Sequence, residues 1–441
     1  MIKSLISRKL SHRPTLARII ENISWLFLDK VLRMGFGLLV GVWVARFLGP
    51  DKFGLINFAT AFTSLFGAIA ILGLPGVVVR DLIRDPNSKE LTLGSAGCLH
   101  FIGGVFSYCL IMIVIAFLRP DDDLSRTVVA IIASMMFFKI SEISVYWFES
   151  QIKSKYIVWV RNSVFLLFIF VKIVLLLNEA PFIAFVWVIF FEALIASISI
   201  LCVMNVYGPS LLKMRVKLKR IKELLNDSWP LILSAIAVSI YMQIDQIMLG
   251  QMKGDKVVGI YSAAVKVSEI WYFIPIAIAS SVFPSILEAK KKSERQYYAC
   301  FQQLYDAMVI LSISVAVFMT FFSKYIIFFL FGDAYEEAGR ILSIHIWASI
   351  FVFLGVASSK WFLAEERQII SLHRTTLGAI VNVVMNVILI PIYGGIGAAI
   401  ATVFSYAAAA FLADFIHFET RKMFFMKLSS LCLIPAVKRL I

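Results

Sequence analysis

The sequence predicts an all-α integral membrane protein with twelve transmembrane helices in two six-helix bundles. Three features carry this prediction: the apolar composition, the alternation of basic loops, and a short signature that occurs once in each half. Hydrophobic residues make up 60% of the 441 residues and charged residues 16%, with a mean hydropathy of +0.88. An ordinary soluble domain is about 25% charged. A chain of this composition is expected to lie within a bilayer.

Apolar runs of about 20 residues, the length that crosses a bilayer, divide the chain into twelve predicted spans. The run at 424–435 is too short to span and contains Lys427, so we expect it at the membrane surface. The basic N-terminus precedes a run too long and too charged for a signal peptide, and no cleavage is predicted. The predicted spans are 23–46, 54–78, 93–118, 127–149, 156–177, 182–204, 229–251, 257–285, 304–322, 341–363, 372–390 and 396–418.

Lysine and arginine fall mainly in alternate loops, on the same side of the predicted membrane as both termini. Cytoplasmic loops carry this excess, so both termini are predicted to be cytoplasmic. The net charge of +14 does not indicate nucleic-acid binding, because the cations are not gathered on one solvated face. The five cysteines form no C-x-x-C motif, so we predict neither disulfides nor a metal site.

A basic segment separates the two halves. Residues 1–212 form a predicted N-terminal lobe of spans one to six, 213–228 a cytoplasmic basic linker, and 229–441 a C-terminal lobe of spans seven to twelve with an interfacial tail. Leu211–Leu225 alternates basic and apolar residues, as expected either of an amphipathic helix on the inner leaflet or of a topology anchor. Because six spans is an even number, the two lobes are predicted to be parallel repeats about a pseudo-two-fold axis.

The repeated signature supports this symmetry. The first copy, Leu48-Gly49-Pro50-Asp51-Lys52-Phe53-Gly54, is followed by Ala59. The second has Leu249-Gly250, then Gly254-Asp255-Lys256-Val257-Val258-Gly259, and Ala264. Glycine and proline at these points predict a turn that opens a new helix in each half.

Charged residues lie deep within several spans, where an ionised group at a helix centre costs roughly 2.5–3.5 kcal/mol. Three pairs have helical spacing: Asp29 with Arg33, Lys139 with Glu142, and Lys266 with Glu269. They are either internal ion pairs or parts of a polar site. Charges near span ends are expected to extend to the surface; these are Arg161, Lys172, Lys360 and Asp414.

The cations near mid-depth suggest an anion site. Lys30 is one residue from Asp29 and so points away from it along the helix. A cavity lined by Lys30, Arg33, Lys139 and Lys266 would be cationic and would suit a phosphate group. The alternative is that these residues form structural ion pairs only.

Asp245 in span seven is the candidate for ion coupling. A carboxylate in the outer half of the membrane can change its charge as a cavity opens to either side, which an ion-coupled cycle requires. We therefore expect dependence on an inward proton or sodium gradient. Glu192 and the pair Asn382 and Asn386 could share this role, bind a sugar, or only join helices by hydrogen bonds.

The sequence resembles the polysaccharide-transport family at three motifs. Arg46-Phe47-Leu48-Gly49-Pro50-Asp51-Lys52-Phe53-Gly54 is similar to its R-x-L-G-P-x-x-F/Y-G signature. Gly73-Leu74 followed by Arg80-Asp81 resembles its G-L-x-x-x-x-x-R-E/D. Gln243-Ile244-Asp245-Gln246-Ile247-Met248-Leu249-Gly250 resembles its D-x-x-x-L-G. The resemblance covers essentially the whole chain and points to a Wzx-type O-antigen flippase of the MATE-like exporter superfamily.

This resemblance implies a transporter of the bacterial inner membrane, not an enzyme. It would move an undecaprenyl-pyrophosphate-linked oligosaccharide to the outer leaflet by alternating access, needing no cofactor beyond a coupling proton or sodium ion. Membrane lipids and other polysaccharide assembly proteins are the implied partners. In that fold spans one, two, seven and eight line the cavity, which would place there Asp29, Lys30, Arg33, Asp245, Lys266 and Glu269.

Three other functions remain open. A drug–ion antiporter of the same fold would be expected to have an acidic cavity for cationic drugs, whereas the mid-depth charges here include several cations. A lipid II flippase is closer in substrate. A membrane glycan polymerase or glycosyltransferase would need a metal site, for which Asp121–Asp123 is the candidate. A solvated acidic turn is the better explanation of these residues, because the loop is only a few residues long.

Overall fold

The computed structural model describes residues 14–432 with Ala436 and Arg439, and within this range the side chains of Trp25 and of residues from Leu32 onward. Every regular element among these residues is helical. The predicted all-α architecture is confirmed.

Seven α-helices make up the first half. A 3₁₀ segment, Ser134–Ser141, joins the fourth to the fifth. The helices are α1 Pro14–Ile71, α2 Leu74–Arg84, α3 Lys89–Leu118, α4 Asp123–Ala133, α5 Glu142–Ser150, α6 Lys155–Leu177 and α7 Phe182–Tyr207.

Ten α-helices follow. A π-helical turn, Ala408–Leu412, joins the eighth of them to the ninth. They are α8 Leu218–Met252, α9 Asp255–Glu269, α10 Phe273–Lys292, α11 Glu294–Phe331, α12 Glu336–His345, α13 Ala348–Ala364, α14 Gln368–Tyr393, α15 Gly395–Ala407, α16 Ala413–Ile416 and α17 Arg421–Leu431.

Among the described residues, ten helical stretches are long and apolar enough to cross a membrane, or eleven if the pair Asp333–His345 and Ala348–Ala364, bent by 48°, forms one span. The first stretch, Leu32–Arg84, has 53 residues. At about 1.5 Å per residue it measures roughly 80 Å, more than twice the hydrocarbon thickness of about 30 Å. It is broken at Gly49 and contains parts of the first two predicted spans. The stretches overlap all twelve predicted spans, but the first two spans share one stretch and the tenth is of membrane length only if the bent pair forms one span.

The chain packs as two compact units. Unit 1 contains the residues up to Phe47 together with Phe62–Ile236, and unit 2 contains Leu48–Ala61 with Ala237–Ile441. Each has its own apolar core. The core of unit 1 includes Leu74, Leu93, Tyr146, Phe148 and Met204, and that of unit 2 includes Phe301, Tyr305, Met308, Phe353 and Leu354.

The prediction of one amphipathic helix over Leu211–Leu225 is only partly right. A 3₁₀ turn covers Leu211–Lys213, and α8 begins at Leu218 and continues without a break into the seventh predicted span. Leu224 is buried in the core of unit 1, and the Arg215 amide donates to the Glu90 carbonyl. Packing against unit 1 therefore fixes this segment.

The repeated signature has the same backbone form in both copies. Gly49 has φ 72° and ψ 170°, and Gly254 has φ 86° and ψ 170°. A positive φ of this kind is accessible to glycine at little cost and is strained for other residues. Each glycine precedes a new helical segment, so the predicted turns are confirmed.

The two copies contact each other at Gly54 and Gly259, within unit 2. A Cβ added at Gly54 would lie 1.7 Å from the Asp255 carbonyl oxygen, and one at Gly259 would lie 2.0 Å from the Pro50 carbonyl oxygen. When Gly49 is aligned with Gly254, Pro50 falls on Asp255 and Gly54 falls on Gly259. The two close approaches are therefore the same contact made in both directions, as a two-fold axis requires.

We expect Gly54→Ala and Gly259→Ala each to lower the free energy of unfolding by about 1–3 kcal/mol, because a methyl group there overlaps backbone atoms. The midpoint of thermal unfolding of the purified full chain in detergent measures this. Gly67→Ala, also on α1, is the matched control because no atom lies within 4 Å of its added Cβ. Equal midpoints for Gly54→Ala and Gly67→Ala would contradict the two-fold contact.

Candidate functional site

Unit 1 encloses a cavity of about 340 Å³ that carries more positive than negative charge. Arg33 of α1 and Arg161 and Lys172 of α6 supply three cations, and Glu192 of α7 supplies one carboxylate. Arg161 and Lys172 are separated by about 16 Å of helix at 1.5 Å per residue. The charge therefore extends along roughly half the hydrocarbon thickness of a bilayer.

Arg33 is fixed at the cavity wall by the backbone and an aromatic ring of α6. Its Nη2 donates to the Arg161 carbonyl oxygen at 2.8 Å, and its guanidinium carbon lies 5.1 Å from the centre of the Phe165 ring. The Arg161 guanidinium in turn lies 3.8 Å from the Glu142 carboxylate of α5. These contacts bring α1, α5 and α6 together at one point.

Lys172 and Glu192 face each other across a helical hairpin. The short turn after Leu177 makes α6 and α7 antiparallel neighbours, and Lys172 Nζ donates to Glu192 Oε2 at 2.7 Å. We expected Lys172 and Arg161 only to extend to the membrane surface. That expectation is wrong, because each meets a carboxylate of another helix beside the cavity.

The structure separates the other predicted cations from this cavity. Lys139 lies on the 3₁₀ segment and does not line it. Among the described residues Lys139 forms no ion pair with Glu142, whose carboxylate faces Arg161 instead. Lys266 belongs to α9 in unit 2, where its Nζ lies 4.3 Å from the centre of the Phe53 ring. The side chains of Asp29 and Lys30 lie outside the described residues.

Glu269, predicted to pair with Lys266, also lies on α9. The side chains of Lys266 and Glu269 are both exposed at the protein surface. These two residues therefore form a charged face of unit 2, separate from the cavity of Arg33.

Asp245 is the centre of a buried polar network in unit 2. It accepts hydrogen bonds from Tyr261 Oη at 2.9 Å, Thr402 Oγ1 at 2.7 Å and Asn386 Nδ2 at 2.5 Å. Asn386 Nδ2 also lies 3.0 Å from Asn382 Oδ1. Residues of α8, α9, α14 and α15 thus converge on one carboxylate.

This network is rich in oxygen atoms. Asn386 Oδ1 is buried and has no hydrogen-bond partner among the described residues. Thr402 Oγ1 lies 2.9 Å from the Ala398 carbonyl oxygen. Carboxylate, amide and carbonyl oxygens suit a small hard cation, and the same carboxylate could instead hold a proton. The network also joins four helices, which is the purely structural alternative for Asp245.

The motif residues Arg80 and Asp81, like the repeated signature at Leu48–Gly54, hold helices in place. Asp81 accepts from Arg80 Nε at 2.8 Å and from Arg220 Nη2 at 2.7 Å, and Arg80 also pairs with Asp227. These bonds hold α2 against the start of α8 within unit 1. Arg46 is exposed. Gly49 forms the turn, and Pro50 and Gly54 take part in the two-fold contact described above.

The acidic turn Asp121–Asp123 caps the N-terminus of α4 through Asp122. Asp122 Oδ1 accepts from the Ser125 amide at 2.9 Å, and Asp123 pairs with Arg126. Burial raises the pKa of Asp122, but hydrogen bonds from Ser125 and the charge of Arg119 outweigh burial and hold that pKa below its usual value. No cluster of three or more metal-binding side chains occurs in the part of the chain that the structure describes.

The membrane-length helices and charged interiors of the two units define a polytopic membrane protein. Two solved structures share this fold at low sequence identity. An inward-facing multidrug resistance transporter of the MATE family and MOP superfamily aligns with a TM-score of 0.74 and 14% identity, covering 93% of this chain and 99% of that one. The lipid II flippase MurJ in an inward closed conformation aligns with a TM-score of 0.70 and 16% identity, covering 93% of this chain and 91% of that one.

The chain belongs to the family described as "Polysaccharide biosynthesis protein", whose model matches residues 19–290. A second model, MatE, matches residues 230–388. Recognition of the family from the three motifs is therefore confirmed.

Three curated relatives have names that concern glycans. A Haloferax volcanii protein named "Probable low-salt glycan biosynthesis flippase" is 26% identical over 46% of this chain and 44% of its own length. A Shigella dysenteriae protein named as an O-antigen transporter is 27% identical over 43% of this chain and 47% of its own length. A Staphylococcus aureus "Capsular polysaccharide biosynthesis protein" is 22% identical over 91% of this chain and 100% of its own length. The first two matches span about half the length of those relatives.

Proposed function

We propose that this chain is a flippase that moves a lipid-linked oligosaccharide across a membrane. The observation that carries the proposal is the unit 1 cavity, in which three cations and one carboxylate face a common space inside a bundle of membrane-length helices. The proposed substrate is an undecaprenyl-pyrophosphate-linked repeat unit of an O-antigen or a related polysaccharide. Its diphosphate is the group that the cations would bind.

The chemistry of the lining favours a phosphate ligand. Arginine presents a planar set of donors that matches phosphate oxygens, and lysine adds a compact charge. Lys172 and Arg161 already have carboxylate partners, so an entering diphosphate would compete with Glu192 and Glu142. Such competition lets the cations hold the substrate while it is bound and return to their own partners after it leaves.

The same lining argues against a drug–ion antiporter as the second candidate. A cationic drug would have to approach Arg33, Arg161 and Lys172 in a medium that screens charge poorly. A lipid II flippase, which shares the fold, is the other alternative and is closer in substrate. The names of the curated relatives support a polysaccharide substrate.

We further propose that Asp245 couples transport to an inward proton or sodium gradient. Its buried network offers a carboxylate, the unpartnered Asn386 Oδ1 and the Thr402 hydroxyl at one point. An ion bound there would join α8 to α14 and α15, and its loss would release them. Ion occupancy would thereby change the packing of unit 2 during a transport cycle.

The proposed location is the bacterial inner membrane, with both termini in the cytoplasm and with membrane lipids and polysaccharide assembly proteins as partners. The basic residues around Lys219 decide this orientation under the positive-inside rule. Alkaline phosphatase fused after Lys219 is expected to be inactive, because the enzyme requires the oxidising periplasm. An active fusion would place Lys219 in the periplasm and contradict the proposed orientation.

We expect Arg33→Gln and Lys172→Gln each to reduce oligosaccharide export by about tenfold or more, since a hydrogen bond to a charged group contributes about 1.5–3 kcal/mol. Complementation of flippase-deficient bacteria with defined repeat units measures export and also distinguishes transport from polymerisation. Lys172→Arg should retain activity because it keeps the charge.

Lys324→Gln is the matched control, since Lys324 lies 74% exposed in a surface pair with Glu336. All variants are compared at equal amounts of membrane-inserted protein. Export at the wild-type level by both Arg33→Gln and Lys172→Gln would remove the unit 1 cavity from the substrate path.

For Asp245→Asn we expect transport that no longer responds to an imposed ion gradient while the substrate is still bound. The asparagine has nearly the same size as aspartate but removes the charge that a cation or proton would neutralise, and its amide nitrogen cannot accept the hydrogen bonds that one carboxylate oxygen accepts. Flipping in proteoliposomes, with and without an inward proton or sodium gradient, measures the response. Asp121→Asn, in an exposed turn, is the control, and equal wild-type rates in all conditions would end the coupling proposal.

A further inference from the structure

A second cavity, of about 300 Å³, lies within unit 2, and Asp245 does not line it. Five aromatic rings contribute to its wall. Two of them, Tyr241 and Tyr406, stack with ring centres 4.7 Å apart and planes inclined by 28°. Three hydroxyl-bearing residues, Ser359, Ser371 and Thr375, also line the space, together with the single charged residue of its lining, Arg374.

Arg374 is anchored along one edge only. Its Nε donates to the Ala409 carbonyl oxygen at 2.8 Å and lies 3.1 Å from Asp414 Oδ1. Its guanidinium carbon lies 4.7 Å from the centre of the Phe362 ring. Neither Nη1 nor Nη2 donates a hydrogen bond to another described residue. The edge of the guanidinium that forms bidentate pairs is therefore left for a ligand.

The charges behind Arg374 do not balance. Asp414 is the single carboxylate between two cations, Arg374 and Lys427, and both Asp414 and Lys427 are fully buried. Lys427 Nζ also donates to the Ala410 carbonyl oxygen at 2.6 Å. We expected Asp414 and Lys427 to reach the membrane surface. That expectation is wrong, because the two form a buried ion pair inside unit 2. The cluster retains one excess positive charge.

The backbone supplies the carbonyl groups that hold this cluster. Ala409 and Ala410 belong to the π-helical turn Ala408–Leu412, which interrupts the α-helical ladder between α15 and α16. Such turns are rare and occur frequently at functional sites. Here the turn presents two successive carbonyl oxygens to two cations, so Arg374 is held rigidly at the cavity wall.

We propose that this unit 2 cavity binds an acidic sugar residue, with its carboxylate on Nη1 and Nη2 of Arg374 and its ring against the tyrosines. A carboxylate pairs with both terminal nitrogens of arginine and would neutralise the excess charge. Ser371 and Thr375 can accept hydrogen bonds from sugar hydroxyls. The volume lies at the lower end of the range for ligand pockets, about 300–1,000 Å³, which suits one sugar unit.

This proposal concerns binding and does not require transport. Only the identification of the sugar as part of a transported glycan rests on the proposed function. The anion could also come from a phospholipid headgroup, whose phosphate would use the same guanidinium edge. An acyl chain would not use the hydroxyl groups of the lining, so the cavity favours the sugar, and the two sources can be separated by experiment.

The test measures binding of methyl β-D-glucuronide, methyl β-D-glucoside and dihexanoyl phosphatidylglycerol to the full chain in nanodiscs by saturation-transfer NMR. We expect the glucuronide to bind at least about tenfold more tightly than the glucoside, since only the glucuronide forms the charged bidentate pair. Arg374→Gln should remove this preference. Arg421→Gln, an exposed arginine that contacts Phe415, should leave it unchanged.

Two further variants keep the test decisive if Arg374→Gln does not fold. Arg374→Lys keeps the charge beside Asp414 but loses the second terminal donor, so the preference should fall. Tyr241→Leu leaves the buried ion pairs intact and should weaken both sugars. Equal affinities for the two glycosides, undiminished sugar binding by Tyr241→Leu, or displacement of the glucuronide by phosphatidylglycerol would overturn the proposal. A wild-type chain that binds the glucuronide but flips no lipid would overturn only the proposed function.

Discussion

A charged side chain within a bilayer has to find its partners inside the protein, because water is absent and exposure to lipid costs roughly 2.5–3.5 kcal/mol at a helix centre. Lys172 meets Glu192 across α6 and α7, Arg161 meets Glu142 of α5, and Asp245 collects donors from three other helices. Each partner lies on a different helix. The contacts that make these charges tolerable therefore also fix which helices are neighbours.

The same requirement links structure to the proposed function. A cation that is balanced by a carboxylate can exchange that partner for a phosphate of similar charge, whereas a cation in water would gain little from either. Unit 1 holds three cations around one cavity, two of them paired with carboxylates. Unit 2 holds a carboxylate network suited to an ion and an arginine with an open edge. The two units thus carry different chemistry on similar sets of helices.

Features set by local sequence could be predicted. Apolar runs predicted where the membrane-length helices lie. Glycine and proline predicted the turns at Gly49 and Gly254, because a positive φ is a local requirement. Pairings between helices could not be predicted in this way. Lys139 and Glu142 have the spacing of an ion pair, yet Glu142 faces Arg161, which is a neighbour only after α5 and α6 have packed. Asp414 and Lys427 lie near the ends of apolar runs, yet both are buried, because α17 packs against the rest of unit 2.

The most direct test of the central claim is movement of a fluorescent undecaprenyl-pyrophosphate-linked oligosaccharide between leaflets of proteoliposomes that contain the purified full chain. The account predicts that the wild-type chain moves the lipid faster than protein-free liposomes do, and that Arg33→Gln and Lys172→Gln return the rate to the protein-free value while remaining folded. A wild-type rate equal to that of protein-free liposomes, with and without ion gradients, would contradict it.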